Sequence, residues 1–374
     1  MSNKKNLRKK AYEVLGDFLD PVTAIIIALT LGGIIIALLG DDVSVALSAL
    51  FKGSLGNMRN IGQSLLSATP LLFTGLSFSV AYRSGLFNIG AEGQLYMGAI
   101  VGAIVGTLFN GLPGFIYIPL VLLAGAAAGA MWAFIPAILK VRLGVHEVIN
   151  VIMLNKIALY FTNWLVSGKG PFRLGSVQPA TPFVDDAVRL KALFPGTPMN
   201  IGYLIGVFIA FNVFVLMWKT KSGYRMRAVG LNRNAAQFAG INVNRSVLTA
   251  FMLSGALAGI GGALEICSVY GRFYAGFSPG YGFEGIAVSL LGNNHPIGIV
   301  VSSFLFGALK TGAMKMQIIA GTNVNLVKVL QALIIFFVAG KWSILSLIQK
   351  QVDKFRLFQK RRETRASAGE ENNL

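Results

Sequence analysis

Long apolar runs separated by short polar stretches dominate the pattern of hydrophobic and polar positions along this chain. A helix needs about 20 consecutive, mostly apolar residues to cross the hydrocarbon core of a bilayer. Ten runs reach or approach this length, and they predict an all-α, multipass transmembrane fold of about ten helices. The eighth run is too short to span alone. The predicted helices are Pro21–Gly40, Ile61–Tyr82, Gly93–Phe109, Ile116–Leu139, Val148–Ser167, Ile201–Trp218, Val247–Leu264, Phe283–Gly292, Pro296–Met314 and Leu326–Ile348.

Small residues recur at four-residue spacing inside several of these runs, for example at Gly98 and Gly102 and at Gly255 and Gly259. Glycine at this spacing lets the backbones of neighbouring helices approach closely. The spacing therefore predicts tight helix packing.

The composition agrees with a membrane protein. Of the 374 residues, 54% are hydrophobic and 13% are charged, whereas about a quarter of residues in soluble domains are charged. Cys267 is the single cysteine, which excludes a disulfide within the chain and a cysteine-based metal site. His146 and His295 are the only histidines and form no metal-binding pattern.

Basic residues are unevenly divided between the two sets of connecting segments. The ten-helix layout places 22 of the 33 Lys and Arg residues on the side of both termini and 8 on the other side. Cytoplasmic loops are enriched in these residues, so we expect the N and C termini to be cytoplasmic. The net charge of +18 is then explained by membrane orientation, and we expect no nucleic-acid binding. We also expect the first run to remain in the membrane instead of being removed as a signal peptide. The expected divisions are a cytoplasmic segment 1–20, a transmembrane domain 21–348 with an external loop 168–200 and a cytoplasmic loop 219–246, and a polar cytoplasmic tail 349–374.

The loop 219–246, called the basic loop below, is the most informative polar segment. It reads KTKSGYRMRAVGLNRNAAQFAGINVNRS and contains six basic and no acidic residues. Within it, Asn234, Ala235 and Ala236 are followed by Gly240. Alanine favours helix and glycine commonly ends one, so these residues predict a short helix that projects from the membrane and can push on a partner.

Two segments rich in Gly, Phe and Glu interrupt the apolar pattern: RSGLFNIGAE at 83–92 and SPGYGFEG at 278–285. Irregular backbone at membrane depth is tolerated where it lines a water-filled cavity, so both segments predict a path for a polar solute. A plain cytoplasmic turn is the alternative for the first segment. The pattern also indicates an inverted repeat, in which helices two to five are echoed by seven to ten, with the first segment at the inner face and the second at the outer face. The path residues predicted here are Phe87, Asn88, Glu92, Phe283 and Glu284.

Polar side chains also interrupt the predicted fifth helix at Asn150, Asn155 and Lys156. Amides donate and accept hydrogen bonds without carrying charge, so Asn150 and Asn155 are further candidates for the path. A lysine in the middle of a spanning helix either faces a cavity or extends its ammonium group toward the membrane surface. Both interpretations of Lys156 remain open at this point.

Four stretches carry a family resemblance together, through their order and spacing. They are GLFNIGAEGQLYMGA (85–99), GVHEVINVIMLNKIALY (144–160), RAVGLNRNAAQFAGI (227–241) and GFEGIAVSLLGNNHPIG (282–298). The chain resembles, over about residues 60–345, the permease subunits of ATP-binding-cassette (ABC) importers in the branched-chain amino acid, ribose and nucleoside group, and it agrees with the nucleoside branch. Permeases of this group carry a cytoplasmic coupling helix with the pattern Glu-Ala-Ala, three residues, Gly, and Asn234 stands at the Glu position here.

The resemblance implies a bacterial cell-membrane permease that pairs with a second permease around the path of a nucleoside or related sugar-containing solute. A heterodimer is expected, and a homodimer stays open. It further implies an extracytoplasmic substrate-binding (lipo)protein and a cytoplasmic ABC ATPase. That ATPase would hold ATP and Mg²⁺ and would dock on Asn234, Ala235, Ala236 and Gly240, while this chain would contact lipid and bind no cofactor. The choice between a nucleoside, ribose and another sugar stays open.

The sequence lacks a phosphate-binding loop, a serine nucleophile elbow and a His-Glu-x-x-His motif. A transport subunit is therefore favoured over an enzyme. The alternative is a secondary transporter driven by an ion gradient, suggested by the repeat and by the carboxylates of Glu92 and Glu284. Such a transporter would have no need of a coupling helix.

Overall fold

The computed structural model describes residues 23–339 except 24, 110, 173–178 and 324. The predicted segments 1–20 and 349–374, and the outer ends of the first and last predicted helices, lie outside the described residues. The described part is helical, with isolated β-bridges at Ala180–Tyr274 and Ala192–Asn200. The helices are α1 (Ile25–Leu38), α2 (Val43–Leu55), α3 (Met58–Arg83), α4 (Ala91–Leu108), α5 (Gly114–Leu143), α6 (Glu147–Val166), α7 (Gly202–Lys219), α8 (Lys221–Leu231), α9 (Arg233–Phe238), α10 (Val243–Glu265), α11 (Tyr281–Leu291), α12 (Pro296–Ala320) and α13 (Asn325–Ala339).

Each of the ten predicted apolar runs corresponds to a helix, so the all-α, multipass prediction is confirmed. Seven helices in the described residues are long and apolar enough to span a membrane: α3 to α7, α12, and α10 together with a π-helical turn at Ile266–Tyr270. The eighth predicted helix is α11, and its 11 residues are too few to span, as expected. The helix α2 was not predicted, because its apolar run has only 13 residues and contains Lys52.

The helices fall into two compact units. The smaller contains α1 and α13, where Gly32 lets α1 approach the side chain of Leu330 closely. The larger contains α2 to α12 and carries all of the features described below.

Helix α10 lies at the centre of the larger unit, against α3, α4 and α5. Glycines form these contacts: Gly259 packs on the backbone of Gly125 in α5, and Gly98 of α4 packs on the backbone of Gly259. A side chain at these positions would overlap a neighbouring backbone, which is why the small residues recur at four-residue spacing. The close packing fixes where α4 and α10 lie relative to each other, and both contribute to the site.

Candidate functional site

Helix α11 begins inside the bundle, beside the middle of α3. The Thr74 hydroxyl of α3 donates to the Tyr281 carbonyl at 3.0 Å, and the Ser79 hydroxyl donates to the Asn294 carbonyl at 2.8 Å. The two stretches therefore run in the same direction, and Tyr281 lies beside Thr74, which is nine residues, about 13 Å, before the end of α3. Residues 271–280 bring the chain to this depth without forming a spanning helix.

Helix α4 begins at the same place. The Gly282 amide donates to the Glu92 carboxylate at 2.6 Å, and the ring centroids of Tyr96 and Phe277 are 4.9 Å apart. The ends of the two irregular segments are therefore in contact, and the expectation that the segments belong to opposite membrane faces stays a prediction. Glu92 lies in the first turn of α4 and accepts from the first turn of α11, so its negative charge complements the positive ends of both helix dipoles.

Asn88 holds the first irregular segment in place. Its side chain is fully buried, and its amide donates to the Ser254 hydroxyl at 2.7 Å and to the Gln94 side-chain oxygen at 3.0 Å. Its oxygen accepts from the Gly90 amide at 2.9 Å. These bonds join residues 84–90 to α10 and to the start of α4.

Asn155 of α6 stabilises the same irregular segment, residues 84–90, which is called the break below. Its side-chain oxygen accepts from the Gly93 amide at 2.8 Å, and its side-chain amide donates to the Ile89 carbonyl at 3.0 Å. The Gly93 amide is in the first turn of α4, where a helix leaves its amides without internal partners. Asn155 thus supplies a bond that the interrupted helix cannot make for itself.

This geometry predicts that Asn155→Ala acts mainly on stability. Leaving a buried donor or acceptor without a partner costs about 1–3 kcal/mol. Asn155 is the partner of one donor, the Gly93 amide, and of one acceptor, the Ile89 carbonyl. We expect a lower melting temperature for the purified protein, with an unchanged KM for the uptake that remains. Asn212→Ala on the exposed surface of α7 is the matched control. A raised KM at unchanged melting temperature would show instead that Asn155 contacts substrate.

A second set of polar side chains lies beside the contact between α4 and α11, and it is called the Lys310 cluster below. It consists of Glu265, Tyr281, Glu284 and Lys310. The Lys310 ammonium is 3.4 Å from the Glu284 carboxylate and 4.3 Å from the centre of the Tyr281 ring. The Tyr281 hydroxyl donates to one Glu265 carboxylate oxygen at 3.3 Å.

The other oxygen of Glu265 is buried and has no hydrogen-bond partner among the described residues. Glu265 is the last residue of α10 before the π-helical turn, and such turns are frequent at functional sites. Polar and charged side chains inside a membrane bundle are costly and usually serve transport. The cluster is therefore the part of the described chain best suited to interact with a polar solute.

The structure brings together some of the predicted path residues. Glu92, Phe283 and Glu284 lie in the first turns of α4 and α11, and Phe283 and Phe87 are exposed at 50% and 38%. The side chains of Asn88 and Asn155 are buried and make hydrogen bonds to the backbone of the break and of the first turn of α4. Asn150 is half-buried, and its side-chain nitrogen has no hydrogen-bond partner among the described residues. Lys156 is exposed on α6, which favours the interpretation that its ammonium group extends toward the membrane surface.

Sequence reasoning missed Glu265 and Tyr281 and gave Lys310 no partner. Lys310 carried a usable signal, because it is a lysine in the middle of an apolar run. Tyr281 carried none, since a tyrosine in an apolar helix is ordinary. The partners of Lys310 are 26 and more residues away in sequence and become neighbours only through the path of the chain between α10 and α12.

The basic loop forms two short helices, and the predicted one is α9. The Asn232 side chain caps it by accepting from the Ala235 amide at 3.0 Å, and Gly240 ends it with a left-handed φ of +76°. Asn234 and Ala235 are exposed and Ala236 is buried. Phe238 is 94% exposed, so α9 presents an aromatic ring at its surface.

Helix α8 contacts the start of the first irregular segment. Gly230 of α8 packs directly on the Arg83 carbonyl and on Gly85, whose φ is +71°. The Arg83 and Arg227 guanidinium groups lie 5.5 and 5.6 Å from the Trp218 ring centre. This contact connects the basic loop to the backbone that leads to Asn88.

His295 also lies beside Trp218, with a centroid distance of 4.9 Å. Burial lowers the pKa of His295, and the nearby positive charge of Arg83 lowers it further. The lowered pKa favours the neutral form of His295, which adds no charge to the junction of Arg83, Arg227 and Trp218.

Comparisons with known proteins agree over most of the chain. The family model described as "Branched-chain amino acid transport system / permease component" matches residues 60–339. The guanosine ABC transporter permease protein NupP of Bacillus subtilis (strain 168) is 40% identical over 337 residues, which are 88% of this chain and 95% of NupP. The nucleoside ABC transporter permease protein NupB of Lactococcus lactis (strain MG1363) is 37% identical over 89% of this chain and 93% of NupB.

The glucose ABC transporter permease protein TsgB13 of Haloferax volcanii is 35% identical over 85% of this chain and 86% of TsgB13. Bacillus subtilis and Lactococcus lactis each also have a second matching permease, at 29% and 28% identity. No solved structure gives a significant match. The chain therefore belongs to the branched-chain amino acid transport system permease family, and it is the multipass, cell-membrane permease subunit of an ABC importer, a transport component and not an enzyme.

Proposed function

We propose that this permease imports nucleosides. The observation that carries the proposal is the identity of 40% and 37% to permeases named for guanosine and nucleoside transport, over nearly nine-tenths of the chain. Glucose is the second candidate, because a permease named for glucose is 35% identical. The Lys310 cluster supports either substrate, since carboxylates accept hydrogen bonds from hydroxyls and base N–H groups and an ammonium group donates them.

We place the basic loop and both termini in the cytoplasm, because the basic residues are concentrated there. Helix α10 starts at the end of the basic loop, so its π-helical turn and residues 271–280 approach from the extracytoplasmic side. The break at 84–90 approaches from the cytoplasmic side. Substrate would then meet the contact between α4 and α11 partway through the membrane, with Phe87, Asn88, Glu92, Asn150, Asn155, Phe283 and Glu284 shaping the path.

The proposed assembly has a second permease subunit, a cytoplasmic ABC ATPase and an extracytoplasmic substrate-binding protein. A second permease is supported by the pairs of matching permeases in Bacillus subtilis and Lactococcus lactis. ATP and Mg²⁺ would be held by the ATPase, and this chain would bind no cofactor. Phe87 and Phe283 expose aromatic rings beside the site, which suits a path completed by a second subunit.

We propose that α9 is the coupling helix, on which the ATPase docks through Asn234, Ala235, Ala236 and Gly240. Exposed apolar side chains on a polar loop favour this role, and Phe238 is the clearest of them. Closure of the ATPase on ATP would displace α9 and α8. The contact of Gly230 with Arg83 and Gly85 would pass that displacement to the break at 84–90.

Uptake into proteoliposomes that contain the complete transporter tests the substrate. We expect ATP-dependent uptake of labelled guanosine, which unlabelled nucleosides inhibit and glucose does not. Inhibition by glucose alone would favour the second candidate. Guanosine uptake by this chain alone, driven by an imposed ion gradient without ATP, would show a secondary transporter instead.

Ala235→Asp and Phe238→Asp are expected to prevent productive docking of the ATPase. Both side chains are exposed in the structure, so the changes leave the permease fold intact while placing a charge in an apolar contact, which is unfavourable. Copurification of the ATPase and substrate-stimulated ATP hydrolysis should each fall by about tenfold, a change of about 1.4 kcal/mol. Phe194→Asp, an exposed ring outside the basic loop, is the control. Normal hydrolysis and uptake in both variants would remove α9 from the docking surface.

A further inference from the structure

A cavity of about 580 Å³ lies at the end of α10 that is opposite the basic loop, and it is called the outer cavity below. Its lining includes Phe183, Tyr270, Arg272 and Tyr274. Cavities that hold small ligands usually have volumes of about 300–1,000 Å³ and walls of aromatic and apolar groups with a few polar ones. The outer cavity thus has the size and the chemistry of a small-molecule site, and none of these residues belongs to the predicted path.

Two paired segments make the walls of the outer cavity rigid. The Thr181 amide donates to the Phe273 carbonyl at 2.9 Å, and the Ala275 amide donates to the Pro179 carbonyl at 3.0 Å. The Val184 amide also donates to the Gly271 carbonyl at 2.8 Å. Residues 179–184 and 271–275 therefore form one backbone-bonded unit, and the cavity is pre-formed in the permease.

The aromatic rings favour a planar ligand. The Arg272 guanidinium group lies 4.6 Å from the centre of the Phe183 ring, and the Tyr270 and Tyr274 ring centroids are 5.0 Å apart at nearly right angles. Aromatic faces and guanidinium planes stack on nucleobases of any sequence. A sugar without a base would find only a few polar groups on these walls.

Tyr270 connects the outer cavity to the Lys310 cluster. It lines the cavity, its ring centroid is 5.0 Å from that of Tyr274, and its hydroxyl lies close enough to Tyr281 and Glu265 to interact with them electrostatically. Tyr281 in turn donates to Glu265, whose second carboxylate oxygen is buried and has no hydrogen-bond partner in the part of the chain that the structure describes. The Tyr270 side chain therefore lies between the outer cavity and the Lys310 cluster, in which one oxygen of Glu265 can still accept a hydrogen bond.

We propose that the outer cavity is an entry site that binds the base of an incoming nucleoside before it passes to the Lys310 cluster. This inference rests on the proposed nucleoside transport and adds the place where a base is distinguished from a free sugar. The base stacks on the aromatic wall, and the ribose points toward Tyr270 and the acceptors beyond it. The permease then contributes its own selectivity in addition to that of the binding protein.

The test measures equilibrium binding of labelled guanosine to the purified complete transporter in nanodiscs, without the binding protein. Phe183→Ala and Tyr274→Ala should each weaken guanosine binding by about tenfold, because each removes an aromatic ring on which the base stacks. Tyr274→Phe keeps the ring and should bind as the wild type does. Phe194→Ala removes an exposed ring that does not line the cavity and is the matched control. Ribose should compete poorly against guanosine at the wild-type cavity.

Unchanged guanosine binding in both alanine variants would overturn the inference, as would equal competition by ribose. Weaker docking of the binding protein at unchanged guanosine binding would assign the outer cavity to a protein contact and would also overturn it. The uptake assay separates this failure from failure of the proposed function. If the wild-type transporter imports guanosine and the variants bind it normally, only the entry site is wrong; if the wild type imports no nucleoside, both are wrong.

Discussion

Lys310→Met is expected to lower ATP-dependent uptake at least tenfold and to reduce the melting temperature of the permease. Lys310 is the only basic side chain in the Lys310 cluster, 3.4 Å from Glu284. Its loss leaves the Glu284 carboxylate without the ion-pair partner that the described residues give it. Removing one partner of a fully buried ion pair costs about 3–5 kcal/mol, and the cost is smaller here because both side chains are about one-quarter exposed.

A double variant separates stability from transport. Lys310→Met with Glu284→Gln removes both charges of the pair, so we expect it to recover most of the melting temperature but little of the uptake. Lys315→Met makes the same change on an exposed side chain of α12 and should behave as the wild type does. Full uptake by Lys310→Met at normal protein levels would exclude the cluster from the transport path.

Local features of the fold were predictable from the sequence, and α9 shows why. Its cap at Asn232, its alanines and its end at Gly240 all lie within nine residues, so each interaction is visible in the order of residues. The ten apolar runs were predictable for a similar reason, because membrane thickness sets one length for every spanning helix. Helix α2 was missed since its apolar run falls below that length and also contains Lys52.

The depth of α4 and α11 was not predictable by the same reasoning. The assignment of connecting segments to membrane faces assumes that every apolar run crosses the whole membrane, so that consecutive connections alternate between the two faces. Helices α4 and α11 begin inside the bundle, and the segments before them reach that point from opposite ends. The bond between Gly282 and Glu92 joins residues 190 positions apart, and no periodicity in either segment indicates that they meet.

The roles of the polar side chains were also only partly predictable. An asparagine in an apolar run can bind a solute or can complete an interrupted backbone, and both roles require burial and both use the same amide. Asn155 accepts from Gly93 and donates to Ile89, which are bonds that a sequence cannot reveal. The backbone around a break needs its own partners, so some polar residues near any such break must serve the fold.

Gly230→Val is expected to abolish uptake while ATP hydrolysis continues without stimulation by substrate. Gly230 packs against the Arg83 carbonyl and Gly85, and a Cβ on Gly85 would come within 2.9 Å of the Gly230 Cα. The Arg83 side chain also donates to the Asn293 and Asn294 carbonyls, at 2.8 and 3.0 Å, just beyond the end of α11. The junction of α8 with Arg83 therefore contacts the backbone that leads to α4 and the backbone that follows α11.

A valine at position 230 would separate α8 from this junction without altering the exposed surface of α9, so the ATPase should still copurify. Rates of guanosine uptake and of ATP hydrolysis, measured on the same proteoliposomes, give the ratio that reports coupling. Gly230→Ala should lower that ratio less than valine does, because a methyl group needs a smaller displacement of α8. Ser222→Val, on the exposed surface of α8, should leave it unchanged. Equal loss of hydrolysis and uptake would place Gly230 in the docking of the ATPase, whereas a normal ratio would mean that motion of the basic loop reaches α4 and α11 by another route.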